Sequence, residues 1–147
     1  MPVDALEASE FMKALLSAYF TTLAALFGID FVWLSLASEK LYRPILKDIL
    51  VDGFRPAPAI AFYLVYAAGL VYFAVRPGLA SESWGRAVLN GALFGFFAYA
   101  TYDLTSQATL RNWTTTLTVA DMAWGTILSA LAAAISVAAT KAIVGDR

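Results

Sequence analysis

The chain has 147 residues, 61% of them hydrophobic, and ten basic residues nearly balance eleven acidic ones for a formal net charge of −1. A soluble globular domain is about 45–50% apolar, and one this small has too much surface to hide the excess, so we predict that lipid is its solvent. The even charge excludes the basic footprint of a nucleic-acid-binding protein. The absence of Cys and His excludes disulfides, thiolate or imidazole catalysis, and Cys/His zinc, Fe–S and ordinary haem sites. We expect neither a cofactor nor a metal.

Four apolar segments reach the roughly 20 residues that a bilayer-spanning helix needs. They predict an all-α, polytopic membrane protein, a bundle of four transmembrane helices that lies within the lipid bilayer. The first ten residues form a short acidic segment, and residues 11–147 form one domain, with spans at about 11–37, 58–75, 86–105 and 115–144. The first apolar run is too long for a cleaved secretory signal, so we interpret it as a retained helix.

The connections are short except for residues 38–57. Apolar residues at roughly helical spacing there, such as Leu41 and Ile45, are typical of an interfacial amphipathic turn, and a solvated loop is the equal alternative. The second helix is predicted to close at Arg76-Pro77-Gly78. With four spans, five basic residues fall on each side of the membrane, so the positive-inside rule does not orient the chain.

Small residues predict close helix packing. The third helix contains Gly91-x-x-x-Gly95, and the fourth has a stripe of Ala130, Ala134 and Ala138. Such stripes let helix backbones approach each other in lipid. They favour a compact bundle or, as the alternative, the seam of a homodimer.

Three aspartates lie at or within the predicted spans, although a charge near the bilayer centre costs about 2.5–3.5 kcal/mol. Asp30 lies inside the first helix, Asp103 near the end of the third, and Asp121 in the second turn of the fourth. Because the first and third helices end on the side where the fourth begins, all three belong to the same half of the membrane. Polar and aromatic residues at helical spacing accompany them: Trp33, Tyr63, Tyr66, Tyr99, Tyr102, Thr118 and Trp124.

Two hypotheses follow for this cluster. In the first, it lines a one-sided polar cavity that holds a proton, a cation or a polar head group. In the second, the carboxylates accept hydrogen bonds from Tyr, Trp and Thr and join the helices. The indole N–H, which only donates, suits a carboxylate, and the spacing Asp30-x-x-Trp33 is repeated as Asp121-x-x-Trp124. Arg55 and Arg111 lie on the same side and either pair with the aspartates or anchor the helices at the interface.

Particular runs of residues resemble a known family. These are Tyr99 to Thr105, Asp121 to Thr126, Asp30-x-x-Trp33-Leu34 and the segment from Phe62 to Leu70, and they are similar to domain-of-unknown-function family 2177, predicted bacterial inner-membrane proteins. The resemblance covers about residues 12–145. It implies a multi-pass, four-helix protein of the bacterial cytoplasmic (inner) membrane, and it brings no assigned reaction, ligand or catalytic residue.

The leading functional hypothesis is therefore binding or transport of a small solute, proton or lipid head group around Asp30, Asp103 and Asp121. The alternative is a structural or accessory subunit of a larger membrane complex with no ligand of its own. An enzyme ranks third, because the sequence shows no nucleophile–base arrangement. We accordingly assign no catalytic and no metal-binding residue.

Overall fold

The computed structural model describes the backbone of residues 3–145 and the side chains of residues 6–145. Within that range every regular element is helical, which confirms the predicted all-α class. The elements are α1 (Val3–Ala37), a π-helical turn (Ser38–Tyr42), α2 (Arg43–Leu46), α3 (Pro56–Leu70), a second π-helical turn (Val71–Val75), α4 (Arg76–Ala80), α5 (Trp84–Thr109) and α6 (Thr115–Val144).

The first helical rod is longer than its apolar stretch. It begins at Val3, before the predicted start at residue 11, and continues through the π turn and α2 to Leu46. Proline lacks an N–H and its ring crowds the carbonyl four residues earlier, and the wider π turn directly before Arg43-Pro44 absorbs that defect. Leu46 packs with Trp113 and Leu117 in a small apolar cluster, so the start of the 38–57 connection is a packed helical segment.

The second rod also has a π turn directly before a proline-containing segment. Its π turn, Val71–Val75, directly precedes Arg76-Pro77, and α4 then continues to Ala80. The sequence predicted that this Arg-Pro-Gly run closes the helix, whereas the structure carries the helix through it. A π turn before a proline therefore occurs twice, and in the first rod it places Tyr42 beside α6.

Side-chain caps start both remaining helices. Ser83 accepts from the Arg86 N–H at 3.3 Å at the start of α5, and Thr114 accepts from the Leu117 N–H at 3.2 Å at the start of α6. Each cap satisfies one of the N–H groups that a helix leaves unpaired in its first turn. α1 and α5 run in one direction, and α3 and α6 run in the other.

The closest approach in the bundle joins α5 to α6. A Cβ atom at Gly91 would lie 2.6 Å from the Ser129 carbonyl oxygen, and one at Gly95 would overlap the Gly125 carbonyl oxygen. Both glycines are buried, so the glycine stripe serves packing within this chain.

The molecule exposes large apolar side chains and buries polar ones within an otherwise apolar core. Val65 is 74% exposed and Phe97 63% exposed, whereas Ser129 and Ser136 are completely buried. The buried hydroxyls bond across helices: Thr22 Oγ1 donates to Ser136 Oγ at 2.7 Å, and the Tyr66 hydroxyl lies 2.7 Å from Ser129 Oγ. An apolar exterior around a hydrogen-bonded interior is what a bilayer requires.

Three of the four long rods are long and apolar enough to cross a membrane: Leu6–Leu46, Pro56–Ala80 and Thr115–Val144. The remaining long rod, α5, has 26 residues and is about 39 Å long at 1.5 Å per residue. It packs on α6 along its length, but Arg86, Asn90, Asp103 and Gln107 lower its apolar character. The protein is thus an all-helical membrane bundle with three candidate spans and a more polar helix packed among them.

Candidate functional site

Asp30 joins three helices at the centre of the site. Its carboxylate is 7% exposed and accepts two hydrogen bonds from other rods. The Tyr63 hydroxyl of α3 donates to Oδ2 at 2.6 Å, and the Trp124 indole N–H of α6 donates to Oδ1 at 3.1 Å. Both oxygens of Asp30 are therefore held by neutral donors.

Asp121, on α6, is held from the first rod. Its Oδ1 accepts a short hydrogen bond from the Tyr42 hydroxyl, and the Tyr42 oxygen in turn accepts from the Trp33 indole N–H at 3.1 Å. Tyr42 reaches α6 because the helix continues through the π turn that contains it. The chain Trp33–Tyr42–Asp121 therefore depends on a local departure from regular α-helix.

The two Asp-x-x-Trp segments exchange their partners. Trp124, from the segment of Asp121, serves Asp30, whereas Trp33, from the segment of Asp30, serves Asp121 through Tyr42. The two indoles also stack, with centroids 4.5 Å apart. The sequence repeat thus marks a reciprocal contact between α1 and α6.

Asp103 is the exceptional member of the cluster. It is completely buried in α5, and neither of its oxygens accepts a hydrogen bond from a hydroxyl, amide or indole donor. The carboxyl group of Asp121 lies close enough to share a proton with it. A buried, unpartnered polar group costs about 1–3 kcal/mol, and more when it is charged, so packing alone does not account for an aspartate here.

No basic side chain among residues 6–145 forms an ion pair with these carboxylates. Among the side chains that the structure describes, ion pairs join Lys13 to Glu10 and Arg43 to Glu39, both at 2.7 Å. Neither Arg55 nor Arg111 pairs with an aspartate of the cluster, and both are exposed. The alternative in which these arginines balance the aspartates is therefore wrong for the described structure.

A partly open cavity of 430 Å³ lies against two of the aspartates. Its walls come from all four rods and are mostly aromatic, and they comprise Asp30, Leu34, Tyr42, Phe62, Tyr66, Ala98, Tyr99, Tyr102, Asp121 and Trp124. Two larger grooves, of 690 and 650 Å³, lie at the opposite end of the bundle near Phe11 and Leu79, and a third, of 580 Å³, lies along Phe73 and Phe97. None of the three contains a buried carboxylate, so the smaller cavity is the candidate site.

The structure brings most of the predicted site residues together. Asp30, Asp121, Tyr66, Tyr99, Tyr102 and Trp124 line the cavity, while Tyr63 and Trp33 support it through hydrogen bonds. Two others lie elsewhere. Asp103 is buried without reaching the cavity wall. Thr118 accepts from the Trp113 indole and donates to Gln107 Oε1 at 2.7 Å in a neighbouring network.

The cavity wall also contains four residues outside the predicted site: Leu34, Tyr42, Phe62 and Ala98. The sequence places Tyr42 in a connection because the apolar run ends at Ala37 and Pro44 follows. Helical spacing gives no signal for Tyr42, because nine residues are about two and a half turns of a regular α-helix and would place it on the face opposite Trp33. The π turn that contains Tyr42 changes this phase. Phe62 precedes the predicted Tyr63, and Leu34 follows Trp33.

The chemistry of the site is that of carboxylates among aromatic rings. In the described part of the chain, no set of three or more acidic, His or Cys side chains is placed to hold a metal ion. The hydroxyls at the cavity belong to tyrosines, and those of Tyr42 and Tyr66 are engaged in hydrogen bonds. The arrangement is suited to binding positive charge rather than to covalent catalysis.

The comparisons with known proteins support the membrane assignment. The chain matches the family model described as "Predicted membrane protein (DUF2177)" over residues 15–138. No curated protein and no solved structure matches it. The matched range includes all three buried aspartates and both stacked tryptophans, and the resemblance seen in the sequence is confirmed: the chain belongs to the DUF2177 family of predicted membrane proteins.

Proposed function

We propose that this membrane protein binds a small positively charged solute, a proton included, in the cavity beside Asp30 and Asp121. One observation carries the proposal: three buried aspartates meet, and none of the basic side chains that the structure describes pairs with any of them. Carboxylates removed from water are stable only when a cation, a proton or several donors compensate their charge. Asp30 and Asp121 have donors, and Asp103 has none.

Asp103 and Asp121 together offer a place for a proton. Two neighbouring carboxyl groups repel each other when both are charged, and one shared proton removes that repulsion. Asp121 also lines the cavity, so a change in the charge of the pair is felt by any solute there. Because the charge of the Asp103–Asp121 pair affects a solute in the cavity, the simplest function of the site is the exchange of a proton for a cationic solute.

The proposal also covers the localisation of the protein and its oligomeric state. We place the protein in the cytoplasmic (inner) membrane of a bacterium, as the family resemblance implies. Because Gly91 and Gly95 are buried against α6 of the same chain, a homodimer would use the alanine stripe, where Ala138 is exposed and Ala130 and Ala134 are partly exposed. Cross-linking of single cysteines placed at Ala130 and Ala138 in membranes tests that arrangement.

The test of the proposed function is labelling with N,N′-dicyclohexylcarbodiimide, an apolar reagent that reacts with protonated carboxyl groups in lipid. Purified protein in vesicles is treated over a range of pH, and the modified peptides are identified by mass spectrometry. We expect an adduct on Asp121 whose yield falls as the pH rises, because only the protonated form reacts. Asp52, which is exposed, serves as the internal control for an aspartate in water.

A different labelling result would contradict the proposed binding function. If the three buried aspartates stay unlabelled at every pH while the unfolded protein is labelled at all of them, they are closed off and serve as interhelical hydrogen-bond acceptors. The accessory-subunit alternative then replaces the binding function.

A further inference from the structure

The walls of the cavity combine negative charge with aromatic faces. Beside the carboxylates of Asp30 and Asp121 stand the rings of Tyr66, Tyr99, Tyr102 and Trp124. From this combination we infer that the solute is an organic ammonium cation with an apolar body. The inference rests on the proposed function and names the substrate class of the same site.

The aromatic walls favour an organic cation over a metal ion. Divalent metals need several oxygen ligands at once, and both oxygens of Asp30 are already occupied by Tyr63 and Trp124. A substituted ammonium group needs only a nearby carboxylate and ring faces within about 6 Å of its charge. Its carbon substituents also fill apolar volume, which a hydrated metal ion does not.

Charge and size exclude other solutes. No Lys or Arg is among the side chains that line the cavity, so an anion would meet two carboxylates without a compensating charge. A neutral apolar molecule would make no use of the negative charge of Asp30 and Asp121. The volume of 430 Å³ falls in the lower part of the roughly 300–1,000 Å³ range of small-molecule sites, which suits a compact cation or the ammonium end of a larger one.

The same chemistry has two sources in a membrane. One is a free organic cation, and the other is the choline head group of a phospholipid. Both present a quaternary ammonium to the carboxylates, and only the second remains attached to acyl chains in the bilayer.

The test compares the binding of an organic cation with that of its uncharged isostere. Benzyltrimethylammonium and neopentylbenzene have the same shape, with nitrogen replaced by carbon, and binding of each to the full chain in maltoside micelles is measured by isothermal titration calorimetry. We expect saturable binding of the cation alone. Asp121→Asn should weaken it by about tenfold or more, because it removes a charge-assisted contact.

A pair of variants on α5 isolates the aromatic contribution without touching a buried carboxylate. Tyr102→Leu removes a ring from the cavity wall, and Phe97→Leu removes a ring that is 63% exposed and outside this cavity. We expect about threefold weaker binding for the first and no change for the second. Equal effects of the two variants would overturn the inference.

Two further outcomes separate the inference from the function on which it rests. If neopentylbenzene binds as well as the cation, or if neither ligand saturates, the organic-cation class is wrong, and a carbodiimide-reactive Asp121 would still support proton binding. To distinguish the sources, the calorimetry is repeated in vesicles of phosphatidylglycerol and of phosphatidylcholine. Competition by phosphatidylcholine alone assigns the site to the lipid head group, and equal binding in both assigns it to the free cation.

Discussion

Trp33 and Trp124 stack ring on ring, with centroids 4.5 Å apart and planes 9° from parallel. Each tryptophan lies three residues after an aspartate. The stack places Trp124 beside the carboxylate of Asp30 and Trp33 beside the Tyr42 hydroxyl that donates to Asp121. Aromatic pairs of this kind contribute about 0.5–1.5 kcal/mol beyond the burial of their surface. The stack therefore fixes α1 on α6 at the level where the carboxylates converge.

Asp103 is the residue whose replacement should stabilise the protein. Its two oxygens are buried without a hydrogen-bond partner, and Asn has the same shape without the charge. We expect Asp103→Asn to raise the free energy of unfolding at neutral pH by about 1 kcal/mol, since unpartnered charged groups are the costliest to bury. Thermal unfolding in maltoside micelles measures this, with the exposed Asp52→Asn as the matched control.

A loss of stability in Asp103→Asn would contradict that prediction. It would mean that the carboxylate of Asp103 supports the fold as a charged acceptor, and Asp103 would then leave the functional site.

Tyr63 should behave in the opposite way, because its hydroxyl has a charged partner. Tyr63→Phe removes the donor to Asp30 Oδ2, which lies at 2.6 Å. We expect a loss of about 1 kcal/mol, between the 0.6 average for interhelical bonds in membranes and the 1.5–3 of bonds to charged groups. Tyr72→Phe, at a ring that is 61% exposed, should change the midpoint of thermal unfolding little. Equal midpoints for the two variants would show that the Tyr63–Asp30 bond adds nothing to stability.

The glycine stripe predicts a strong contrast between two Gly→Ala changes. In Gly95→Ala the new methyl group would meet the Gly125 carbonyl oxygen and, at 2.5 Å, Ser129 Oγ, whereas a Cβ at Gly28 meets nothing within 4 Å. We expect Gly95→Ala to lower the free energy of unfolding by about 1–3 kcal/mol through forced separation of α5 and α6. Gly28→Ala should leave it unchanged or raise it by up to about 1 kcal/mol, because alanine is the better helix former.

Far-UV circular dichroism during heating gives both values. If Gly95→Ala unfolds at the temperature of the wild type, the close approach of α5 to α6 is not as the structure has it.

Much of the architecture follows from the sequence, because lipid imposes simple rules. Twenty apolar residues must be helical, and three or four such runs must form a bundle. Topology alone then brings Asp30 and Asp121 to the same half, and the repeat of Asp-x-x-Trp points to their partners. The exchange of those partners depends on the rotation of α1 against α6, which no periodicity in the sequence fixes.

What the sequence hides is the behaviour of the helix ends. Arg43-Pro44 and Arg76-Pro77 indicate helix termini by ordinary rules, yet a π turn before each proline lets both rods continue. Tyr42 therefore moves from a presumed connection to the wall of the cavity. The complete burial of Asp103 was equally out of reach, because it depends on how the helices pack near the end of α5.

The central claim is that the aspartate cluster holds a positive charge that exchanges with the surroundings. Infrared difference spectroscopy of the protein in vesicles, titrated with acid, tests it most directly through the C=O band of protonated carboxyl groups. Because Asp103 is completely removed from water, a proton held by the Asp103–Asp121 pair should give a C=O band separate from that of hydrated carboxyls. We predict that this band appears reversibly while the protein is folded and disappears in Asp103→Asn and Asp121→Asn. A titration that shows only hydrated carboxyls, unchanged in both variants, would contradict the claim and leave the aspartates as structural acceptors.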